Sequence, residues 1–191
     1  MKNRTIRSLC HDFNVRSDEN GDKFISGYFA VFNSNYEIFD GMTESIDPSA
    51  FDSTLNDDIR CLIDHDTRLV LGRNKANTLT LRVDAKGLWG EVKINQNDQD
   101  AMNLYERVKR KDVDQCSFGF DILDEERSVN ETTGDVHWRI KLVKLYEVSI
   151  VTFPAYEETG VSARKKEVDT LNKRSFEIWK DGLMKKLKGE K

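Results

Sequence analysis

The sequence is poor in the residues that build disulfide frameworks, metal sites and linkers. Its 191 residues include three cysteines, Cys10, Cys61 and Cys116, which lie far apart and form no Cys-x-x-Cys pair. A zinc or redox motif of that kind is therefore excluded, and a reducing cytoplasm is expected. There are only two prolines, and no internal repeat or low-complexity block is visible, so the sequence indicates no interdomain linker.

Long apolar runs and an overall basic excess are also missing. No run approaches the roughly eighteen residues of a membrane span, and the polar start leads into no signal-peptide core, so we expect neither secretion nor a membrane partner. Residues 164–191 carry ten basic and five acidic side chains, so the net charge of −4 divides into +5 there and −9 on residues 1–163. The acidic body would repel a phosphate backbone, which argues against a nucleic-acid partner. The basic tail is typical of a solvated helix face, or of a segment that meets an acidic surface.

What the sequence does contain is a series of short segments with the alternation of β-strands. The predicted strands cover residues 5–10, 23–32, 59–63, 79–83, 88–94 and two pieces within 137–153. Polar turns separate the first from the second and the fourth from the fifth, and both pairs are predicted to form hairpins.

Helical patterns are fewer than strand patterns. The clearest covers residues 98–110, with Asn97 as its cap, acidic residues in its first turn and one apolar face. A short helix is predicted at 47–55, with Asp47 as N-cap and a proline at its first position. Apolar residues at helical spacing from Lys166 onward predict a helical tail. The predicted fold class is therefore mainly β with helices (α+β).

One hydroxyl lies inside an apolar run. Ser117 stands between Cys116 and Phe118 and is followed by Gly119. A regular strand turns neighbouring residues to opposite faces, so only one of Cys116 and Ser117 could meet a given base. A glycine at position 119 would let an extended substrate approach. Taken alone, the segment is typical of packing, and it is not a Gly-x-Ser-x-Gly nucleophile elbow.

His65 is one of only three histidines and follows a predicted strand, where a loop would expose it. Its neighbours Asp64 and Asp66 leave a metal site open, although the sequence has no His-x-x-x-His pair to support one. A structural histidine at a strand end is the other interpretation.

Glu147 lies within the last apolar strand. A carboxylate buried there would cost several kcal/mol without a partner. A histidine N–H is one candidate partner, as in a hydrolytic triad, and a lysine or arginine is another. A position on a solvent-facing side of the strand would remove the need for a partner.

Six short segments, none specific alone, occur in register along the chain. They are Gly27–Ser34, Glu44–Phe51, His65-Asp66 with Leu71–Arg73, Gly87–Trp89, Ser117–Phe120, and Glu147–Ser149 with Thr152–Tyr156. Together they resemble the prohead maturation proteases of tailed bacteriophages over roughly residues 4–164. That family is in turn similar to the herpesvirus capsid maturation proteases, and the resemblance implies a closed antiparallel β-barrel ringed by helices.

The resemblance implies a serine endopeptidase that needs no cofactor and no metal. Ser117 would be the nucleophile, His65 the general base and then acid, and Glu147 the group that orients His65. The herpesvirus relatives use a second histidine as the third residue, so His137 stays the alternative to Glu147.

The resemblance also implies a place and a substrate. Residues 1–163 would form the protease domain and residues 164–191 a charged tail that is removed by self-cleavage. The substrates would be the scaffolding protein or the major capsid protein precursor, inside the immature capsid (prohead) in the host bacterial cytoplasm. The oxyanion donors would lie after Pro154 or near Arg164, and a homo-oligomer is left open.

Two other functions stay open on the sequence. The first is a non-catalytic assembly module of the same fold, which would bind capsid precursors through its basic tail. The second is a metal-assisted hydrolase built on Asp64, His65 and Asp66.

Overall fold

A computed structural model describes residues 5–10 and 13–153, with five single helical positions between residues 168 and 180. These described residues contain eleven strands, one multi-turn α-helix and one 3₁₀ turn, which confirms a mainly β fold with few helices. The elements are β1 (Thr5–Cys10), β2 (Asn14–Ser17), β3 (Lys23–Val31), β4 (Tyr36–Phe39), β5 (Met42–Ile46), β6 (Arg60–Ile63), β7 (Asp66–Arg73), the 3₁₀ turn Asn74–Ala76, β8 (Leu79–Val83), β9 (Gly87–Ile94), α1 (Gln99–Arg110), β10 (Gln115–Val129) and β11 (Val136–Val151).

The chain groups into two units, residues 1–156 and 157–191. The division after residue 163 remains a prediction. In the second unit the described positions are helical, while four apolar positions of the expected tail helix, Phe176, Trp179, Leu183 and Leu187, lie outside the described residues. Among the helices that are described, none is long and apolar enough to cross a membrane.

Strand β11 organises the larger of the two sheets. Along one edge it pairs antiparallel with β10 over its full length. Along the other edge it pairs parallel with β5 near its start and parallel with β6 near its end. Strands β1, β4 and β7 then extend this sheet beyond β10, β5 and β6. The smaller sheet has the order β2-β3-β9-β8. The arrangement places β10, β11 and β6 side by side.

The described strands differ from the expected closed antiparallel barrel ringed by helices. Their pairings give two separate sheets, and two pairings of β11 are parallel. Both parallel partners lie along one edge of β11, whose 16 residues are long enough for two strands. Sequence patterns had divided this segment into two pieces, because its apolar run is interrupted by charged residues that the structure accommodates within one strand.

The core lies between the two sheets, where one face of β10 packs on β3. The thiol of Cys116 lies 3.1 Å from the carbonyl oxygen of Tyr28. The ring of Phe118 stacks on Phe120 at 4.8 Å between centroids and meets Phe51 edge-on at 5.9 Å. All three rings are fully buried. Because side chains alternate along a strand, the opposite face of β10 is the one that carries Ser117.

Helix α1 begins one residue later than its sequence pattern predicts. Its N-cap is Asp98 and not Asn97, since Asp98 has extended backbone angles and its carboxylate accepts the N–H groups of Asp100 and Ala101 at 3.0 and 3.3 Å. The predicted apolar face is buried as expected, and consists of Ala101, Leu104, Tyr105 and Val108.

The hairpin predicted between residues 5–10 and 23–32 is wrong, because these two strands pair with other strands. The predicted β8–β9 hairpin is confirmed. Strand β1 pairs with β10, and β3 forms its hairpin with β2. The short, polar β2 lacks an apolar alternation, so its sequence gave no strand signal. Its turn is closed locally by Asp18, whose carboxylate accepts the N–H groups of Asn20 and Asp22.

The short helix predicted at residues 47–55 is a run of tight turns. Successive i→i+3 hydrogen bonds begin at the Asp47 carbonyl, and none of the described residues there forms a helical repeat. Asp47 does cap the first turn, since its carboxylate accepts the Ser49 N–H at 2.9 Å.

Candidate functional site

Three buried polar side chains, those of Ser117, Ser149 and Glu147, lie on one face of the larger sheet. In the antiparallel pair of β10 and β11, Ser117 lies directly opposite Ser149, and Gly119 lies directly opposite Glu147. Directly opposed residues share a face, as do residues two apart on one strand. Ser117, Ser149 and Glu147 therefore lie on the same face, and all three are buried. Cys116 points the other way, as expected.

His65 reaches this face from the turn between β6 and β7. The turn consists of two residues, Asp64 and His65, with φ of 46° and 60°. Two-residue hairpins require such left-handed angles, which glycine and asparagine adopt more readily than histidine. The turn is anchored to the end of β11, because the Asp64 N–H donates to the Ile150 carbonyl at 3.0 Å and the Asp64 carboxylate accepts the Thr152 N–H at 2.7 Å. Hydrogen bonds to β11 thus hold the strained backbone of Asp64 and His65 in place, and with it the imidazole.

The imidazole of His65 meets the carboxylate of Glu147. The distance from His65 Nδ1 to Glu147 Oε1 is 2.9 Å, and Glu147 is 2% exposed. An ionised carboxylate only accepts hydrogen bonds, so the proton of the neutral ring lies on Nδ1 and the lone pair on Nε2. His65 Nε2 is buried and has no hydrogen-bond partner among the described residues. The contact therefore orients the imidazole with a basic nitrogen available.

Ser149 is a member of this cluster that the sequence reasoning missed. Its Oγ donates to the second carboxylate oxygen, Glu147 Oε2, at 2.5 Å. The available signal was its spacing, since a residue two positions after Glu147 must share the face of that strand. Both oxygens of the buried carboxylate thereby have donors.

The two cysteines near the site, Cys61 and Cys116, face away from it. Cys61 on β6 faces the core, and burial, with a smaller contribution from the charge of Glu147, raises the pKa of its thiol. The Cys116 thiol is buried against backbone carbonyls of β3. Both cysteines are unpaired by disulfides. Both thiols thus lie on the core side of their strands, whereas Ser117 lies on the face that carries Glu147, so Ser117 is the better candidate for a nucleophile.

The three residues of the Asp64-His65-Asp66 triplet point to separate partners. Asp64 binds Thr152, His65 binds Glu147, and the Asp66 carboxylate pairs with Arg68, whose hydrogen bonds lower the pKa of Asp66 to about 2. Within residues 13–153 and the other described positions, no group of three His, Cys, Asp or Glu side chains could hold a metal ion.

The alternative third residue, His137, lies ten positions before Glu147 on β11. Its two ring nitrogens contact the hydroxyls of Thr43 and Ser45 on β5, at 2.8 and 2.9 Å. The side chain that contacts His65 is therefore Glu147. The segments proposed for oxyanion donors, after Pro154 and near Arg164, lie outside the described residues.

A surface groove borders the carboxylate from the outer side of β6. Its volume is about 260 Å³. It is lined by Asp58, Arg60, Leu62, Thr67, Tyr146 and Glu147.

The sequence of the chain matches one family of known proteins. The family model described as caudovirus prohead serine protease matches residues 11–174. The prohead protease of Enterobacteria phage HK97 is 27% identical over 157 residues, an alignment that covers 80% of this chain and 65% of that relative. The chain thus spans just under two thirds of the length of this curated relative. No solved structure matches the chain significantly.

The matched region contains β2 to β11, and with them Ser117, His65, Glu147 and Ser149. A match over most of the chain carries more weight than any of the six short motifs alone. The chain belongs to the family of caudovirus prohead serine proteases.

Proposed function

We propose that the chain is a serine endopeptidase with Ser117 as nucleophile, His65 as general base and Glu147 as the residue that orients His65. The observation that supports this most is the 2.9 Å contact between His65 Nδ1 and Glu147, on the sheet face that also carries Ser117. Family membership adds the reaction class.

In the first half of the reaction, His65 Nε2 takes the proton of the Ser117 hydroxyl while Oγ forms a bond to the carbonyl carbon of the scissile peptide. The tetrahedral intermediate then collapses. Nε2 returns the proton to the departing amine, the C–N bond breaks, and the acyl group remains on Ser117. The buried Glu147 carboxylate stabilises the imidazolium that forms in between.

In the second half, water replaces the amine. Nε2 takes a proton from the water molecule, the water oxygen bonds to the acyl carbon, and the proton then passes to Ser117 Oγ as the ester bond breaks. No step requires a metal or an organic cofactor, because the base, the nucleophile and the orienting acid are all side chains of this chain.

We also propose the biological setting. A relative whose name is prohead protease supports substrates inside an immature capsid, namely a scaffolding protein or the precursor of the major capsid protein. The protease domain would cover residues 1–163, and the enzyme would remove its own tail, residues 164–191. A fold related to that of the herpesvirus capsid maturation proteases remains part of this proposal, and a crystal structure of the Ser117→Ala chain would test it.

A fluorophosphonate probe tests the proposed chemistry directly, since it bonds only to an activated serine hydroxyl. We expect one adduct, located on Ser117 by peptide mass spectrometry, and none in Ser117→Ala or His65→Ala. Labelling of a different serine, or labelling that is unchanged in His65→Ala, would contradict the assignment. The metal-assisted alternative makes different predictions, namely no adduct on Ser117 and peptide cleavage that a chelator abolishes.

A further inference from the structure

We propose that Ser149 is a positioning residue of the proposed protease, which holds the Glu147 carboxylate in the orientation that His65 requires. The proposal rests on the function proposed above. It starts from the contact of Ser149 Oγ with Glu147 Oε2 at 2.5 Å. Ser149 is fully buried and has no exposed surface through which it could act on solvent or on a partner.

The geometry gives each carboxylate oxygen of Glu147 a separate task. Oε1 accepts from His65 Nδ1, and Oε2 accepts from Ser149. With Oε1 bound alone, the carboxylate could rotate about its last bond and swing the acceptor away from the ring. A hydrogen bond to an ionised acceptor is stronger than a neutral one, so the Ser149 bond resists this rotation. It also disperses a negative charge that burial would otherwise make costly.

The same bond separates the roles of two serines that face each other. Ser149 and Ser117 are direct partners across β10 and β11, so either hydroxyl could in principle serve His65. A hydroxyl has one proton to donate, and the Ser149 proton is directed at Glu147. Ser149 cannot then give its proton to His65 Nε2 without leaving the carboxylate. The structure thus assigns positioning to Ser149 and leaves attack to Ser117.

The test compares three variants of the full chain. Ser149→Ala removes the donor, and Ser149→Thr keeps a hydroxyl at the same place in a strand that tolerates β-branching. Ser45→Ala is the matched control, because Ser45 is another buried serine of the same sheet whose hydroxyl contacts a histidine, His137.

Two measurements are made on these chains. The first is the rate of fluorophosphonate labelling at Ser117, which needs the whole site. The second is the NMR signal of the His65 Nδ1 proton, recorded in a Ser117→Ala background that prevents self-cleavage. With only three histidines in the chain, the signal is assigned by substitution of the other two.

We expect Ser149→Ala to slow labelling by about 10- to 100-fold, the size typical of a hydrogen-bonded partner behind a functional group, and to shift or broaden the Nδ1 proton signal. Ser149→Thr should restore both in large part, and Ser45→Ala should change neither by more than about twofold. An unchanged Nδ1 signal in a folded Ser149→Ala chain would overturn the positioning role. Probe attachment to Ser149 itself would overturn it as well.

The NMR measurement separates this inference from the proposed function. If Ser117 were never labelled in any chain, the protease assignment would fail, while a shifted Nδ1 signal in Ser149→Ala would still support the link from Ser149 through Glu147 to His65. If Ser117 were labelled and Ser149→Ala changed neither measurement, only the inference about Ser149 would fail.

Discussion

Glu147 is a buried carboxylate whose two oxygens each accept one hydrogen bond, from His65 and from Ser149. Burial of an unpaired charge costs several kcal/mol, and these two donors offset that cost only if the carboxylate stays in one orientation. The orientation places a carboxylate acceptor on Nδ1 and leaves the Nε2 lone pair for the role of base that we propose. At the residue scale, stability and the proposed chemistry therefore depend on the same two contacts.

Replacement of Glu147 by glutamine tests this dependence. The amide is nearly the same size, but it is neutral and cannot stabilise an imidazolium. We expect Glu147→Gln to slow fluorophosphonate labelling of Ser117 by about 10² to 10⁴, as loss of an orienting acid does in serine hydrolases. Glu126→Gln is the control, because Glu126 is exposed on the outer part of β10. Equal labelling rates in Glu147→Gln and the unmodified chain would show that Glu147 has no role in the site.

The contact of Glu147 with a histidine was among those predicted at the residue scale, and the reasons are chemical. A carboxylate in an apolar strand demanded a partner, and a histidine at a strand end was one of few available. Ser149 was not found, since a serine in a strand is ordinary and only the cross-strand register reveals what its hydroxyl meets. Which of Glu147 and His137 contacts His65 could not be predicted from the sequence, because both residues lie on the same long strand.

At the scale of elements, the turn between β6 and β7 positions the side chain of His65. Asp64 and His65 both have positive φ, a conformation that costs side chains other than glycine about 1 kcal/mol or more per residue. The Asp64 carboxylate offsets part of this cost through Thr152. Because Thr152 follows directly after β11, the bond ties the turn that carries His65 to the strand that carries Glu147.

We therefore expect Asp64→Ala to impair the site more than the fold. Loss of the anchor should slow fluorophosphonate labelling at least tenfold, while the free energy of unfolding falls by only about 1–2 kcal/mol. Asp66→Ala is the matched control in the same hairpin, because Asp66 pairs only with the exposed Arg68 among the described residues. If Asp66→Ala and Asp64→Ala slowed labelling equally, the anchor would not be the cause.

A second prediction at this scale concerns Asp47, in the turns after β5, and the pH dependence of stability. Hydrogen bonds from Ser49, and then the contact with Arg139 on β11, lower the pKa of Asp47. A carboxyl whose pKa is lower in the folded state stabilises the protein above its unfolded pKa of about 4, and this contribution is lost as the pH falls through the folded value. Asp47→Asn should therefore lower the free energy of unfolding by about 1 kcal/mol at pH 7.

The difference between the Asp47→Asn chain and its parent should then shrink below about pH 4. Urea unfolding at a series of pH values measures it. Asp52→Asn is the control, because Asp52 is exposed in the same run of turns. A difference that grows on acidification would contradict the assigned direction of the Asp47 pKa.

Elements that depend on residues close in sequence were predicted well, and pairings between segments far apart in sequence were not. Helix α1 and the β8–β9 hairpin follow from their own periodicity and turn residues. The pairing of β1 with β10, and of β11 with both β5 and β6, joins segments far apart in the chain, and no local pattern encodes such partners. The turns at residues 47–55 resembled a helix start because Asp47 and Pro48 favour the first turn of either structure.

At the scale of the molecule, β10 links the core to the site, since its two faces serve different purposes. Phe118 and Phe120 fill the space between the sheets, and Ser117 and Gly119 lie on the other side. Ser117 is thereby held by a strand whose position is set by aromatic packing. A nucleophile on such a strand is more rigidly placed than one on a loop.

Truncation of Phe118 tests how much the packing of the core contributes to the free energy of unfolding. We expect Phe118→Ala to lower the free energy of unfolding by about 3–5 kcal/mol, the usual cost of a buried phenylalanine, in a Ser117→Ala background that prevents self-cleavage. Leu123→Ala, at a 57% exposed position of the same strand, should stay within about 0.5 kcal/mol. Similar losses in the two variants would mean that the face of β10 assigned to the core is not the one that packs.

The central claim, that this chain is a serine protease acting through Ser117, is tested most directly by intact-mass spectrometry of the full chain and its Ser117→Ala variant. Both are expressed and purified in parallel, and co-expressed with the capsid precursor if neither is shortened alone. We expect the unmodified chain to lose its tail or to cut the precursor, and the variant to leave both at full mass. Cleavage that persists unchanged at the same bonds in Ser117→Ala would contradict the account.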